Sequence, residues 1–367
     1  MKAKLIYTFI LIFILISIPS YSQDKLIDYQ FGRGLKIKGI PFRIGGYFAL
    51  KYRWTNDEEF EFNIENLALL LYGNITKRSN FFLEVEARNL YVKKREIKYD
   101  YEDYEEDDDE YEYDEEHEHW EVEVERDFNI NPEIERIFFD YLFSDALRFR
   151  IGKFITPIGL WNPIHIPPLK WTSIDPPAAT EFFPIFTTGV RLFGLLPFQQ
   201  NSWEYSIFAQ KTKGIDDRNN NVRTDDFYGT EIRKYFSDSS LGFALGSFKD
   251  LSIDSYVKFF STSIDIPFRR FRFMSEIIYG TEKGTTQTYQ RLAYYIQGIL
   301  RVFSKNYLIL RNDYFNSEKK DKNIKALLIG WNYRPLYPIS LKIEGQFRRD
   351  SIAGDILEFA ASFSLLF

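Results

Sequence analysis

The chain closes on Asp355-Ile356-Leu357-Glu358-Phe359-Ala360-Ala361-Ser362-Phe363-Ser364-Leu365-Leu366-Phe367. Phe359, Ala361, Phe363, Leu365 and Phe367 share one face at period two, and Glu358, Ala360, Ser362 and Ser364 share the other. Successive side chains of a strand point to opposite faces, so this rhythm is a strand and not a helix. Two settings suit it. A soluble sandwich would bury the apolar face, whereas a closed membrane barrel would turn it to lipid and keep the other face wet.

The same alternation recurs upstream. It marks Arg43–Trp54, Phe60–Thr76, Phe81–Tyr91, Glu133–Phe143, Ala146–Thr156, Ile185–Leu195, Trp203–Lys211 and Phe227–Phe236. It continues through Leu241–Phe248, Ser252–Ile264, Arg270–Tyr279, Gln290–Val302, Tyr307–Phe315, Ile324–Tyr333 and Ile339–Arg348 to the terminal strand. That makes sixteen, an even number, as a single-chain barrel with both ends on one side requires. If the C-terminus is periplasmic, both long inserts fall outside, as the second and third external loops. Every periplasmic join is then short, which is the asymmetry such barrels have. The chain carries 36 Phe, 25 Tyr and 6 Trp at a mean hydropathy of −0.32, with no apolar run long enough for a spanning helix beyond the first residues. Heavy aromatic use of this kind fits strands that are greasy on one side only. In hydrocarbon every backbone polar group must be paired, so the sheet must close. Sixteen staves leave a lumen too wide for side chains to fill. The expected fold is therefore all-β, a transmembrane antiparallel barrel of sixteen strands.

Met1–Ser22 reads as a secretory signal, with Lys2 and Lys4 ahead of an apolar Leu5–Ile18 and small residues at Ser20 and Ser22. Residues 23–42 read as an N-terminal lead and 43–367 as one barrel domain. There is no cysteine, so an exported chain of this length is not a disulfide scaffold. Net charge is −6, but Val92–Arg126 alone holds 18 acidic and 5 basic residues. One acidic external loop, 92–130, thus sits on a mildly basic body. A run of this composition cannot bury a core. It holds His117 and His119, a weak candidate for metal capture.

The other insert, 157–183, carries six prolines, which stiffen it without hydrogen bonds. It is expected to fold into the lumen as a constriction, pinned by Trp161, Trp171, Phe182 and Phe183, with His165, Lys170, Asp175 and Glu181 as its titratable groups. The predicted lumen face is rich in arginine: Arg88, Arg136, Arg148, Arg150, Arg191, Arg270, Arg272, Arg291, Arg301, Arg311 and Arg348. Cationic rings favour anions. Lumen carboxylates at Glu84, Glu86, Glu135, Asp140, Glu276, Asp313, Glu344 and Glu358 offer the opposite outcome, in which the pairs only brace the wall.

No nucleophile motif, P-loop, dinucleotide fingerprint or nucleic-acid module occurs, and neither enzymatic activity nor a cofactor is expected. The expected partners are outer-membrane lipid and lipopolysaccharide, the barrel-assembly machinery through Phe367, and small ions or solutes. The alternative is a plugged surface barrel working in adhesion or cation binding through its acidic loop.

Ile151-Gly152-Lys153-Phe154-Ile155-Thr156-Pro157-Ile158-Gly159 resembles the G-K/R-F-x-x-P-x-G segment of the phosphate-selective porin O and P family. Ala293–Gly298, Arg311–Tyr314, Gly330–Pro335 and Leu341–Glu344 are similar to its later strands. The resemblance implies a trimeric sixteen-stranded channel in the outer membrane of a Gram-negative bacterium, with an arginine ladder, a third-loop constriction and passage for phosphate or other small anions. The acidic second loop departs from the family and would repel anions at the mouth.

Overall fold

The computed structural model describes residues 26–56, 60–99, 120–128, 130–174, 176–198, 201–284 and 287–367. Their strands are β1 (Ile27–Gln30), β2 (Gly34–Ile37), β3 (Phe42–Thr55), β4 (Phe60–Asn74), β5 (Ser79–Tyr99), β6 (Trp120–Phe128), β7 (Pro132–Ser144), β8 (Leu147–Ile155), β9 (Phe186–Phe198) and β10 (Asn201–Gln210). They continue as β11 (Phe227–Phe236), β12 (Ser239–Asp250), β13 (Ser255–Phe268), β14 (Phe271–Lys283), β15 (Thr288–Phe303), β16 (Asn306–Ser317), β17 (Lys322–Tyr333), β18 (Ile339–Asp350) and β19 (Gly354–Leu366).

From β3 onward each strand pairs antiparallel with its neighbours, and β19 pairs back onto β3 from Glu358 opposite Thr55 to Leu366 opposite Tyr47. The sheet is closed. β6 and β7 are two halves of one stave, because both pair with β5: β6 along Tyr91–Tyr99 and β7 along Ser79–Ala87. The barrel therefore has sixteen staves. At one end the joins are short: 75–78, 145–146, 237–238, 269–270, 304–305 and 334–338. Ser237, Arg269 and Lys305 take positive φ there, as two-residue hairpin turns demand. Phe367 lies at this end, exchanging backbone hydrogen bonds with Gly46 at 2.8 and 2.9 Å.

Period two decides the facing. On β18 Leu341, Ile343 and Phe347 are exposed, while Ser340, Lys342, Glu344 and Gln346 are buried. Phe243, Leu245, Ile329 and Phe359 continue the exposed apolar band on other staves. A continuous girdle of this kind faces hydrocarbon in a membrane barrel.

Three features depart from the sequence reading. The lead contains a hairpin, β1–β2, which docks on β3 with Leu35 opposite Ile44 and is held by Tyr72 Oη donating to Arg33 O at 2.6 Å. The bore is not polar throughout. Phe227, Phe248, Phe259, Ile278, Ile309, Phe315 and Leu328 point inward and form one apolar core with Ile174, Phe182 and Phe183 of the 156–185 connection. Beside the two long inserts there is a third substantial connection, 211–226, in the gap that the alternation leaves between Lys211 and Phe227.

Candidate functional site

The connection 156–185 is tied at its base. Thr156 Oγ1 donates to Pro184 O at 2.7 Å, and Asn162 Nδ2 donates to both Thr156 O and Ile185 O. Between these ties the prolines prevent a regular ladder, so the remaining backbone groups need partners from elsewhere. The inward side chains of the wall provide them. Glu276 accepts Leu160 N–H at 3.0 Å, and Glu344 accepts Ser173 and Ile174 N–H. Arg233 donates to Gly159 O at 2.9 Å, Lys342 to Pro167 O at 3.0 Å, Arg334 to Leu169 and Lys170 O, Lys51 to Ser173 O, and Arg291 to Phe182 O. Aromatic contacts complete the hold: Trp161 on Tyr295, Trp171 on Tyr307, and Phe182 and Phe183 on Phe259.

The 211–226 connection locks the same segment from above. Asn221 donates to Thr180 O and Phe183 O and accepts Ile185 N–H. Lys153 Nζ donates to Ile134 O, Asp216 O and Asn219 Oδ1, all within 2.8 Å.

Two substantial cavities lie in the bore, beside a third of about 140 Å³ in which Glu181 and Asp313 face Arg348. The larger, of about 430 Å³, is lined by Arg136, Arg150, Arg191, Arg233 and Arg272 against Glu204, Glu231 and Asp265. The smaller, of about 340 Å³, is lined by Lys51, Arg88, Lys170 and Lys342 against Glu65 and Glu86, with His165. Cations outnumber carboxylates in both.

The expected arginines divide by position. Arg136, Arg150, Arg191 and Arg272 face the larger cavity and Arg88 the smaller. Arg150 forks onto Asp140 at 2.7 and 2.8 Å and lies over the Phe138 ring; Arg136 pairs with Glu84. Arg291 and Arg311 point inward but are wholly buried: Arg291 holds Glu282, and Arg311 bonds Asp313 at 2.9 Å and Thr172 Oγ1 at 2.7 Å. They bind the internal segment and the wall rather than an open channel. Arg348 pairs with Asp350 at 2.9 Å and lies 3.9 Å from Glu181. Arg148 sits at the short-turn rim, 3.5 Å from Asp145. Arg270 is corrected outright: it belongs to the two-residue turn between β13 and β14. Arg301 keeps inward parity, opposite Tyr307, but is exposed at the short-turn end of β15 and lines neither of the two larger cavities; the register slips only beyond it, between Arg301 and Phe303.

Of the loop groups, Glu181 pairs with Lys322 at 2.5 Å. His165 Nε2 lies 3.6 Å from Glu135 Oε2, with its ring edge-on to Phe186. Burial, followed by the Lys170 ammonium, holds the imidazole well below its ordinary range; burial also lowers Lys170. Asp175, His117 and His119 lie outside the described residues. Sequence reading missed Lys51, Arg233 and Lys342, although inward parity marks all three. Glu135 is different. Residues 135 and 136 cannot both face inward in a regular strand, yet both do. Glu84 pairs with Arg136 and Val85 with Ile134, so Glu135 is the extra residue of a β-bulge, which turns it into the bore.

Two glycines of the G-K-F-x-x-P-x-G segment have a geometric cause. Gly152 has φ +130°, and a Cβ there would stand 2.2 Å from Ile137 O. Gly159 has φ +78°, and a Cβ would collide with the Glu276 carboxylate.

No protein-family model matches the chain, and no curated protein matches it by sequence. Solved structures do match in shape. An anion-selective porin from Comamonas acidovorans superposes with a TM-score of 0.61 at 9% identity, covering 89% of this chain and 99% of that one. The fold is the sixteen-stranded porin barrel. OmpT, an outer membrane protein of Vibrio cholerae, in its trimer form, gives 0.58 at 8% identity over 89% and 99%. Salmonella typhi OmpF gives 0.55 at 11% over 89% and 97%. These likenesses establish the barrel. The narrower resemblance to the phosphate-selective O and P family rests on the short segments quoted above.

Proposed function

We propose that this protein is a passive channel in the outer membrane of a Gram-negative bacterium, admitting small hydrophilic solutes with a modest preference for anions. One observation carries the reading: the two larger cavities in the bore hold more cations than carboxylates, five against three and four against two, and the small third, with one against two, does not offset that surplus. Guanidinium forks suit carboxylate and phosphate, so small oxyanions are the favoured cargo. The 156–185 segment acts as the constriction between the cavities. Assembly as a homotrimer, insertion through Phe367 and lipopolysaccharide contact belong to the same reading, as does the absence of enzymatic activity.

Purified protein in planar bilayers tests it. Stable conductance with a reversal potential on the anion side of a salt gradient is the expected result. The apolar core that Phe182 and Phe183 build with Phe259 inside the bore favours a second reading, in which the barrel is plugged and serves at the surface. A correctly inserted barrel with no conductance would select that reading.

A further inference from the structure

Glu86 on β5, Glu135 on β7 and His165 on the internal segment converge where that segment meets the wall. One ligating atom from each lies within 4.8 Å of the others. Glu135 is fully buried, and its Oε2 has no hydrogen-bond partner among the described residues. That atom faces His165 Nε2 at 3.6 Å. Two ligands of a tetrahedral ion at ordinary bond lengths stand about 3.4 Å apart. The pair is therefore already spaced for an ion, and Glu86 needs only a small shift.

The surroundings have the form of an outer shell. Arg88 holds Glu135 through Oε1 and Glu86 through Oε2, while Tyr47 Oη and Asn66 Nδ2 donate to Glu86 Oε1 at 3.0 and 2.6 Å. Ligating carboxylates are commonly oriented by such bonds. Glu84, Glu86 and Glu135 face Arg88 and Arg136, one carboxylate in excess. Lys170 from the loop and Lys153, seated on backbone carbonyls and Asn219, are the cations an incoming dication must meet. Glu86 and His165 also border the 340 Å³ cavity, where water can complete the coordination.

We propose that Glu86, Glu135 and His165 bind one first-row divalent transition ion, clamping the internal segment to β5 and β7. One imidazole with two carboxylates suits Zn²⁺ and its neighbours, whereas Ca²⁺ takes six or more oxygens. The site stands independently of the channel reading.

The test uses the full barrel carrying His117→Ala and His119→Ala, which removes the histidines of the acidic loop. Titration with Co²⁺, read by visible absorption, and with Zn²⁺, read by calorimetry, should give one ion per chain. His165→Ala or Glu135→Gln in that background should weaken binding by about tenfold or more. No stoichiometric site in the background protein, or one unchanged by His165→Ala, overturns the proposal.

Discussion

The carboxylate of Glu344 accepts the backbone N–H of Ser173 on both of its oxygens, at 2.7 and 2.9 Å. It also accepts Ile174 N–H at 2.7 Å. A strand side chain thereby substitutes for the ladder that the prolines deny the internal segment. Glu344→Ala should leave two buried donors unpaired, at about 1–3 kcal/mol each. The expected outcome is a lower urea midpoint and a larger, noisier single-channel current. Arg349→Ala is the control. It removes a solvent-exposed pair with Asp355 at 2.8 Å, which water and salt screen, and should change neither readout.

The larger cavity owes its sign to a small surplus. Arg191→Glu converts five arginines and three carboxylates into four of each. Reversal potentials in a KCl gradient should move toward zero or to the cation side. Arg301→Glu makes the same charge change at an exposed strand end outside both cavities. It should shift the potential little, because exposed charges are screened within about 10 Å in 0.1 M salt. Equal shifts from both variants would remove the larger cavity from the conduction path.

Gly152 has no tolerated replacement. Its φ of +130° costs any other residue about 1–3 kcal/mol, and a Cβ placed 2.2 Å from Ile137 O must also move backbone. Gly152→Ala should therefore lower the unfolding midpoint in urea and reduce the folded fraction on a heat-modifiability gel. An unchanged midpoint would show that the β7–β8 pair is looser than its register implies.

That glycine also marks where sequence reading reached and where it stopped. Alternation disclosed the staves, their facing and the parity of the joins, because period two is a local property of each strand. It named Glu135 as a lumen carboxylate but did not disclose the bulge that lets Glu135 and Arg136 both face inward. A bulge is a mismatch between two strands, visible only when Val85 and Ile134 are set side by side. The inward arginines were legible as a set, but not their division. Arg311 and Arg191 have the same pattern in sequence; only the path of 156–185 makes one a buried brace and the other a cavity wall. The apolar patch within the bore was hidden for a related reason. Phe259 sits on the inward face of a strand whose two faces are both apolar near it, and its partners Phe182 and Phe183 lie some 75 residues away along the chain.

The hold on the internal segment should weaken in mild acid through His165. Burial and then Lys170, Arg136 and Arg88 push its imidazole down, while Glu86 pushes it up; the net displacement is well below the ordinary range. Below about pH 6.5 the unfolded chain binds a proton here that the folded chain refuses, so stability falls as pH falls. The loss is at most about 1.4 kcal/mol per pH unit. Asp216 does not contribute in that window. Its carboxyl is pulled down to about 2, chiefly by Arg218, so its stabilisation is complete above about pH 4 and is lost only below. Unfolding midpoints at pH 7.5 and 5.5 should therefore differ in the wild-type protein and converge in His165→Gln, which fills the same space without a proton to gain. Retention of the full pH dependence in that variant would transfer the effect to the wall carboxylates Glu86 and Glu135.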